Sequence, residues 1–223
     1  MAPSLAEHTV GSGPGLRSAL HTRLVQEGAL ARDEYLVMCD DDAAFVVGGL
    51  RDFLQIAVEG GFMVSQPAHL RDSYYTSPFT CGRPQLTARA TGFVEIGPLV
   101  VIHPAFRDRV FPMREDLGMG WGAEVQWHSA LRNGEHFGIV DAVRIRHCGP
   151  IGTDYDTGAE RIRLNQALRA AGFRDSREMC TTLKRWYRWN ASEPARPNRR
   201  SGPIGGLRPL PTPVPKTMVG PNI

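Results

Sequence analysis

Leu16, Leu20, Leu24 and Leu30 recur at near-helical spacing, which predicts a helix over residues 16–31. The apolar run at 35–39 has the length of a buried strand and ends in Asp40-Asp41-Asp42. Gly48 and Gly49 precede Leu50, Phe53, Leu54, Ile56 and Ala57, an amphipathic helix that should close at Gly60-Gly61. Residues 62–65 suggest a short strand. Residues 67–90, punctuated by Pro67, Pro78, Gly82 and Pro84, read as one long loop. Apolar, β-rich sequence follows over 91–102, then a short helix from 104 to 109. After a glycine-rich acidic stretch at 114–122, a helix is expected over 123–131, with Gly134 as its stop. A strand over 137–146 and two helices near 157–171 and 176–189 complete the pattern.

After Trp189 the pattern ends. Eight prolines fall between Pro194 and Pro221, and little there could form a core, so residues 190–223 read as a disordered or polyproline tail. Residues 1–15, rich in Gly, Ser and Pro, read as loose. A domain over 16–189 remains, a size that fits one folding unit. The tail carries five basic residues against Glu193, so it accounts for the net charge of +3 and leaves the domain near neutral. That excludes a basic nucleic-acid-binding core. No apolar run approaches the ~18 residues that span a bilayer, and the N-terminus has no secretory pattern, so a cytoplasmic location is expected. The cysteines, Cys39, Cys81, Cys148 and Cys180, are far apart and form no CxxC pair. They read as free, mostly buried thiols rather than zinc ligands.

Chemistry gathers in three segments. Three adjacent carboxylates at a strand tip repel one another unless a cation sits among them, and their oxygens suit Mg²⁺ or Mn²⁺. Asp clusters also occur as solvated turns, and Asp42 could instead cap a helix. Next, Met119-Gly120-Trp121-Gly122-Ala123-Glu124 sets an indole between two glycines, where backbone can approach a ligand and a ring can stack on a sugar. Glu124 falls in the first turn of a helix, where the helix dipole should keep it ionised and able to act as a base. A helix cap and a core tryptophan are the plainer account of the same residues. Last, His147 stands where the strand of 137–146 leaves the sheet, and neutral imidazole ligates such cations.

The order of the three segments resembles the GT-A fold nucleotide-sugar glycosyltransferases, most closely the broad family-2 group, the β-1,4-galactosyltransferases and the polypeptide N-acetylgalactosaminyltransferases. Residues 36–42 are similar to the family's apolar strand and DxD motif. Gly120 to Glu124 resembles the GWGGE turn, Arg144-Ile145-Arg146-His147 resembles the closing histidine segment, and residues 15–20 are loosely similar to the helix that precedes the DxD. The resemblance implies an α/β fold, a GT-A-like, Rossmann-related mixed sheet flanked by helices. It implies Asp42 and His147 as ligands of Mn²⁺ or Mg²⁺, with Asp40 on the metal or the donor ribose and Asp41 beside it. Trp121 and Gly122 would line the sugar pocket and Glu124 would be the catalytic carboxylate. The partners implied are a nucleotide-sugar donor, a UDP-sugar first, and a hydroxyl acceptor, which the Tyr74, Tyr75 and Arg83 region could contact.

Two positions depart from the pattern. Val125 stands where the galactosyltransferase-like turn carries a second acid, so inverting and retaining chemistry both stay open, with Glu115 and Asp116 as spare carboxylates. Thirty-nine residues precede Asp40, too few for a helix and a complete βαβ unit of ~30 residues. The resemblance therefore implies a domain incomplete at its N-terminus: a chain that begins at an internal Met, a fragment of a longer chain, or one whose nucleotide site a partner chain completes. Two other readings stand beside a transferase: a non-catalytic GT-A-like binding protein and a Mg²⁺-dependent DxD phosphatase. Against the phosphatase, the only lysines are Lys184 and Lys216, both late in the chain.

Overall fold

The computed structural model describes residues 15–27, 33–153 and 155–188. The loose N-terminus and the proline-rich tail expected from the sequence lie outside them. Twelve elements follow one another: α1 (Arg17–Glu27), β1 (Leu36–Cys39), β2 (Ala43–Val47), α2 (Leu50–Glu59), β3 (Val64–His69), β4 (Leu86–Thr91), β5 (Leu99–Ile102), α3 (Pro104–Val110), α4 (Ala123–Ala130), β6 (Phe137–His147), α5 (Thr157–Ala170) and β7 (Thr182–Tyr187).

The seven strands form one mixed sheet in the order β1-β5-β3-β6-β4-β7, with β2 paired to the far end of β6. Only β3 and β6 run parallel; every other pair is antiparallel. Helices cover both faces, which explains why β5 is apolar throughout. Its Val100 and Ile102 join Phe106 and Val110 of α3 and Trp127 of α4 on one side. Its Leu99 and Val101 join Phe53 and Ala57 of α2 on the other. A third cluster, with Val125, Leu168 and Met179, seats α5 on α4.

β6 is the spine of the sheet. Its first half pairs with β4 and its last residues with β2, while β3 runs along its other side. Between Pro67 and Ala68 of β3 the register jumps from Val140 to Arg144, a bulge in β6. Before the bulge Phe137 and Ile139 face the α3–α4 cluster; after it Val143 and Ile145 face the α2 cluster.

The structure corrects the sequence pattern in three places. The segment 67–90 is not one loop: it contains the second half of β3, a 3-10 turn at Pro78–Thr80 and most of β4. β4 carries Arg89 fully buried, 2.9 Å from the equally buried Asp141 of β6. A charged residue in mid-strand conceals a core strand until its partner is known. The expected helix at 176–189 is a 3-10 turn (Ser176–Glu178) and the edge strand β7, because pairing with β4 overrides weak local preference. Residues 43–47 form β2, so no helix follows Asp42 and that residue caps none.

Candidate metal centre and its cavity

β1 buries Met38 and stops at Asp40, whose N–H donates to the Pro98 carbonyl (2.7 Å) and fixes the strand tip beside β5. Asp41 and Asp42 then turn the chain into β2. Ala43 lies opposite His147 in the β2–β6 ladder, and this register sets Asp42 beside the imidazole. His147 Nε2 is 3.0 Å from Asp42 Oδ2. Two further bonds hold Asp42: its carbonyl accepts from the Cys148 N–H (2.9 Å) and Oδ2 accepts from the Gly149 N–H (3.1 Å). A Cβ at Gly149 would collide with that oxygen, so only glycine allows the approach.

Asp40, Asp42 and His147 each offer one ligand atom, and these atoms lie within 4.8 Å of one another. Two carboxylates and one imidazole fit a divalent cation. Burial pushes the Asp40 carboxyl above its usual range and Asp42 adds to the rise, while Arg17 opposes it. Arg17, on α1, donates from Nη2 to Asp40 Oδ1 at 2.6 Å. Arg17 lies in the segment 15–20 that is loosely similar to the helix before the DxD, but nothing in the sequence gives it a role, since the contact joins residues 23 positions apart. Asp41 is exposed and stands outside the ligand cluster, at the cavity wall.

The cavity beside the cluster measures about 980 Å³. Trp121 and Glu124 share it with the three ligands, so most residues singled out in the sequence meet in one place. Gly122 is one exception: it sits behind the wall against Ala167 of α5 and Leu117. Gly120 and Gly122 have φ values of 105° and 100°, a region that disfavours side chains, and so form the turn that presents the indole. The Trp121 Nε1–H donates to the Tyr155 hydroxyl (3.2 Å), which fixes the ring. Of the residues offered as acceptor contacts, Tyr75 lines the cavity; Tyr74 and Arg83 do not.

Glu124 is buried at the start of α4, and Oε2 accepts from the Gly122 N–H (3.1 Å). Burial raises its pKa to about 7, against the expectation that the helix dipole keeps it fully ionised. Desolvation outweighs the dipole here, and the group is poised between acid and base at neutral pH. Asp116, offered as a spare carboxylate, is exposed, bound to Arg114 at 2.5 Å, and not part of the cavity wall. The side chain of Glu115, the other spare carboxylate, lies outside the described residues.

Glu95 is a wall residue that the sequence reading missed. Its carboxylate accepts from the Thr76 N–H (3.1 Å), the Ser77 N–H (3.0 Å) and the Thr80 hydroxyl (2.7 Å). Burial raises its pKa. The available signal was a lone carboxylate within Phe93-Val94-Glu95-Ile96, where an acid is buried only if something satisfies it. The same loop is fastened at its other end, because the His147 N–H donates to Ser73 Oγ (2.8 Å). Ser73 Oγ is also 3.3 Å from Nδ1 of the buried His69, whose pKa burial lowers to about 4. All four cysteines are free, and Cys39 and Cys148 are exposed rather than buried. No described helix is long and apolar enough to cross a membrane. Compared with models of known protein families and with curated proteins, the chain matches none.

Proposed function

We propose that the chain is a metal-dependent glycosyltransferase, moving a sugar from a nucleotide-sugar donor to a hydroxyl acceptor. One observation carries this reading: a single cavity of about 980 Å³ holds a three-ligand cation cluster and, apart from it, a buried carboxylate with a pKa of about 7. The DDD strand tip, the GWGAE turn and the closing histidine that resemble the GT-A enzymes line that cavity together.

Asp40, Asp42 and His147 would hold Mn²⁺ or Mg²⁺, which supplies charge neutralisation for a diphosphate leaving group. Arg17 fixes the Asp40 carboxylate in its ligand position through the 2.6 Å bond. Glu124, when ionised, takes the proton of the attacking acceptor hydroxyl at its carboxylate oxygen. Trp121, its ring oriented by Tyr155, offers an apolar face to the CH groups of a sugar. Glu95 holds the Thr76–Thr80 stretch in place and so shapes the wall next to Tyr75. A phosphatase would need Asp40 free as a nucleophile, and Arg17 already engages it.

The test is thermal stability with a panel of nucleoside diphosphates and nucleotide sugars, each with and without Mn²⁺. A ligand at one hundred times its dissociation constant stabilises by about 2.7 kcal/mol, a shift of several degrees for a chain of this size. A shift that needs both metal and one nucleotide supports the reading and names the donor. Sugar release to water or an acceptor in the same mixture separates a transferase from a protein that binds without turnover. No shift with any member of the panel overturns the proposal.

A further inference from the structure

The edge strand β7 is unlike the rest of the surface. It pairs with β4 alone, so its outer side is unpartnered among the described residues. Lys184 and Arg185 are exposed along it and Arg188 just past its end, where its Nε donates to the Leu86 carbonyl (3.4 Å), and no described carboxylate lies within ion-pair distance of the three. Arg185 stands directly opposite Arg89 in the ladder, an arrangement that costs stability. Arg89 and Arg185 also press on Arg83, whose pKa is lowered by burial first and by these two neighbours after it. The one acid in this group, Asp141, is fully buried and already bonded to Arg89 Nε and the Arg83 N–H. The charge that faces solvent is uncompensated.

Apolar groups sit among these bases. Leu183 is 64% exposed, the most exposed large hydrophobic side chain among the described residues. Trp186 is half-buried, with the Lys184 ammonium 4.8 Å from its ring centre. The sequence beyond the strand continues the same chemistry, with five further bases against Glu193.

We propose that β7 is a docking edge for an anionic lipid surface, on which Lys184, Arg185 and Arg188 meet headgroup phosphates and Leu183 enters the headgroup–acyl boundary. Charge complementarity carries the cationic half of the argument, since basic clusters are drawn to negatively charged leaflets. The exposed Leu183 selects lipid over nucleic acid: a projecting aliphatic side chain gains nothing against a phosphate backbone but is buried at a membrane interface. Lys and Arg carry their heads at that level, and Trp rings favour it. None of these residues lines the 980 Å³ cavity, so the inference stands apart from the transferase reading.

The experiment is co-sedimentation of the full chain with vesicles of phosphatidylcholine alone or enriched in phosphatidylserine. Binding to the anionic vesicles only, lost at high salt, is the expected result. Neutralising each of Lys184, Arg185 and Arg188 with Gln should weaken binding roughly 5-fold per residue. Leu183→Ser should weaken it several-fold with no change in charge. Arg51→Gln, an exposed base on α2, serves as the comparison and should change little. Equal losses for Arg51→Gln and Arg185→Gln would overturn the assignment to β7. So would unaltered binding in the triple variant, retention on DNA without vesicle binding, or no sedimentation with either vesicle. Circular dichroism of each variant separates misfolding from lost binding.

Discussion

At the level of single residues, the candidate cation cluster depends on groups that have little freedom to move. Asp42 is held by two successive backbone donors, Cys148 and Gly149, and His147 is held through its own N–H by Ser73. Because even a supporting residue of a metal site is worth 10–100-fold in affinity, Asp42→Ala and His147→Ala should each weaken Mn²⁺ binding by roughly 100-fold or more. Isothermal titration with Mn²⁺ alone reads this, and normal affinity in either variant would remove that residue from the cluster. Glu124 calls for a different measurement. With its pKa near 7, the ionised form grows as pH rises through neutrality, so transfer should rise along the same limb. Glu124→Gln should flatten the limb and slow transfer roughly 10²–10⁴-fold while sparing metal binding; an unchanged pH profile assigns the proton transfer elsewhere. The candidate ligands Asp40 and Asp42 were conspicuous in the sequence because three acids in a row at a strand end demand an explanation. Arg17 and Glu95 were not, because each makes sense only once a distant segment is folded against it.

Among the elements, β4 and β6 are joined by a buried ion pair whose two members are fully enclosed. Arg89 also donates to the carbonyls of Phe79 and Cys81, so it anchors the 3-10 turn as well as the sheet. Arg89→Met leaves Asp141 buried and unpaired, and should cost about 3–5 kcal/mol in urea unfolding. Pairing it with Asp141→Leu should recover much of that loss; a double variant no better than Arg89→Met would show that the carbonyl contacts matter more than the charge. The pair explains why sequence pattern described some elements and not others. α2 and β6 were legible because their apolar positions carry the signal; α4 and α5 were expected although their apolar positions form no strong stripe. β4 and β7 were not, since Leu86-Thr87-Ala88-Arg89 and Lys184-Arg185-Trp186 show no period that local rules can interpret.

For the molecule as a whole, buried titratable groups pull stability in opposite directions as pH changes. His21 and His69 have folded pKa values of about 4, below the unfolded 6.5. The unfolded chain takes up protons there that the native state refuses, so these two cost stability as pH falls from about 6.5 to 4. Glu124 has the opposite sign. Its folded pKa of about 7 lies above the unfolded 4.5, so its contribution declines as pH rises across that interval. Glu124→Gln should therefore make stability climb more steeply between about pH 5 and 7, by up to about 1.4 kcal/mol per unit of the shift removed. Parallel profiles for variant and parent would contradict the buried, protonated state. The general architecture, a mixed sheet covered on both faces, was within reach of the sequence; the strand order was not, because it is set by pairings between segments far apart in the chain. One detail of that order constrains how the gene can change. The β6 bulge reverses which side of the sheet odd-numbered residues face, and His147 lies downstream of it. Deleting Ala142 would keep every motif in the chain and alter no ligand, yet put the strand out of phase by one residue and turn the imidazole away from Asp42. Mn²⁺ affinity should collapse as is expected for His147→Ala, which would make the candidate centre sensitive to reading distance along the chain as well as to the identity of its ligands.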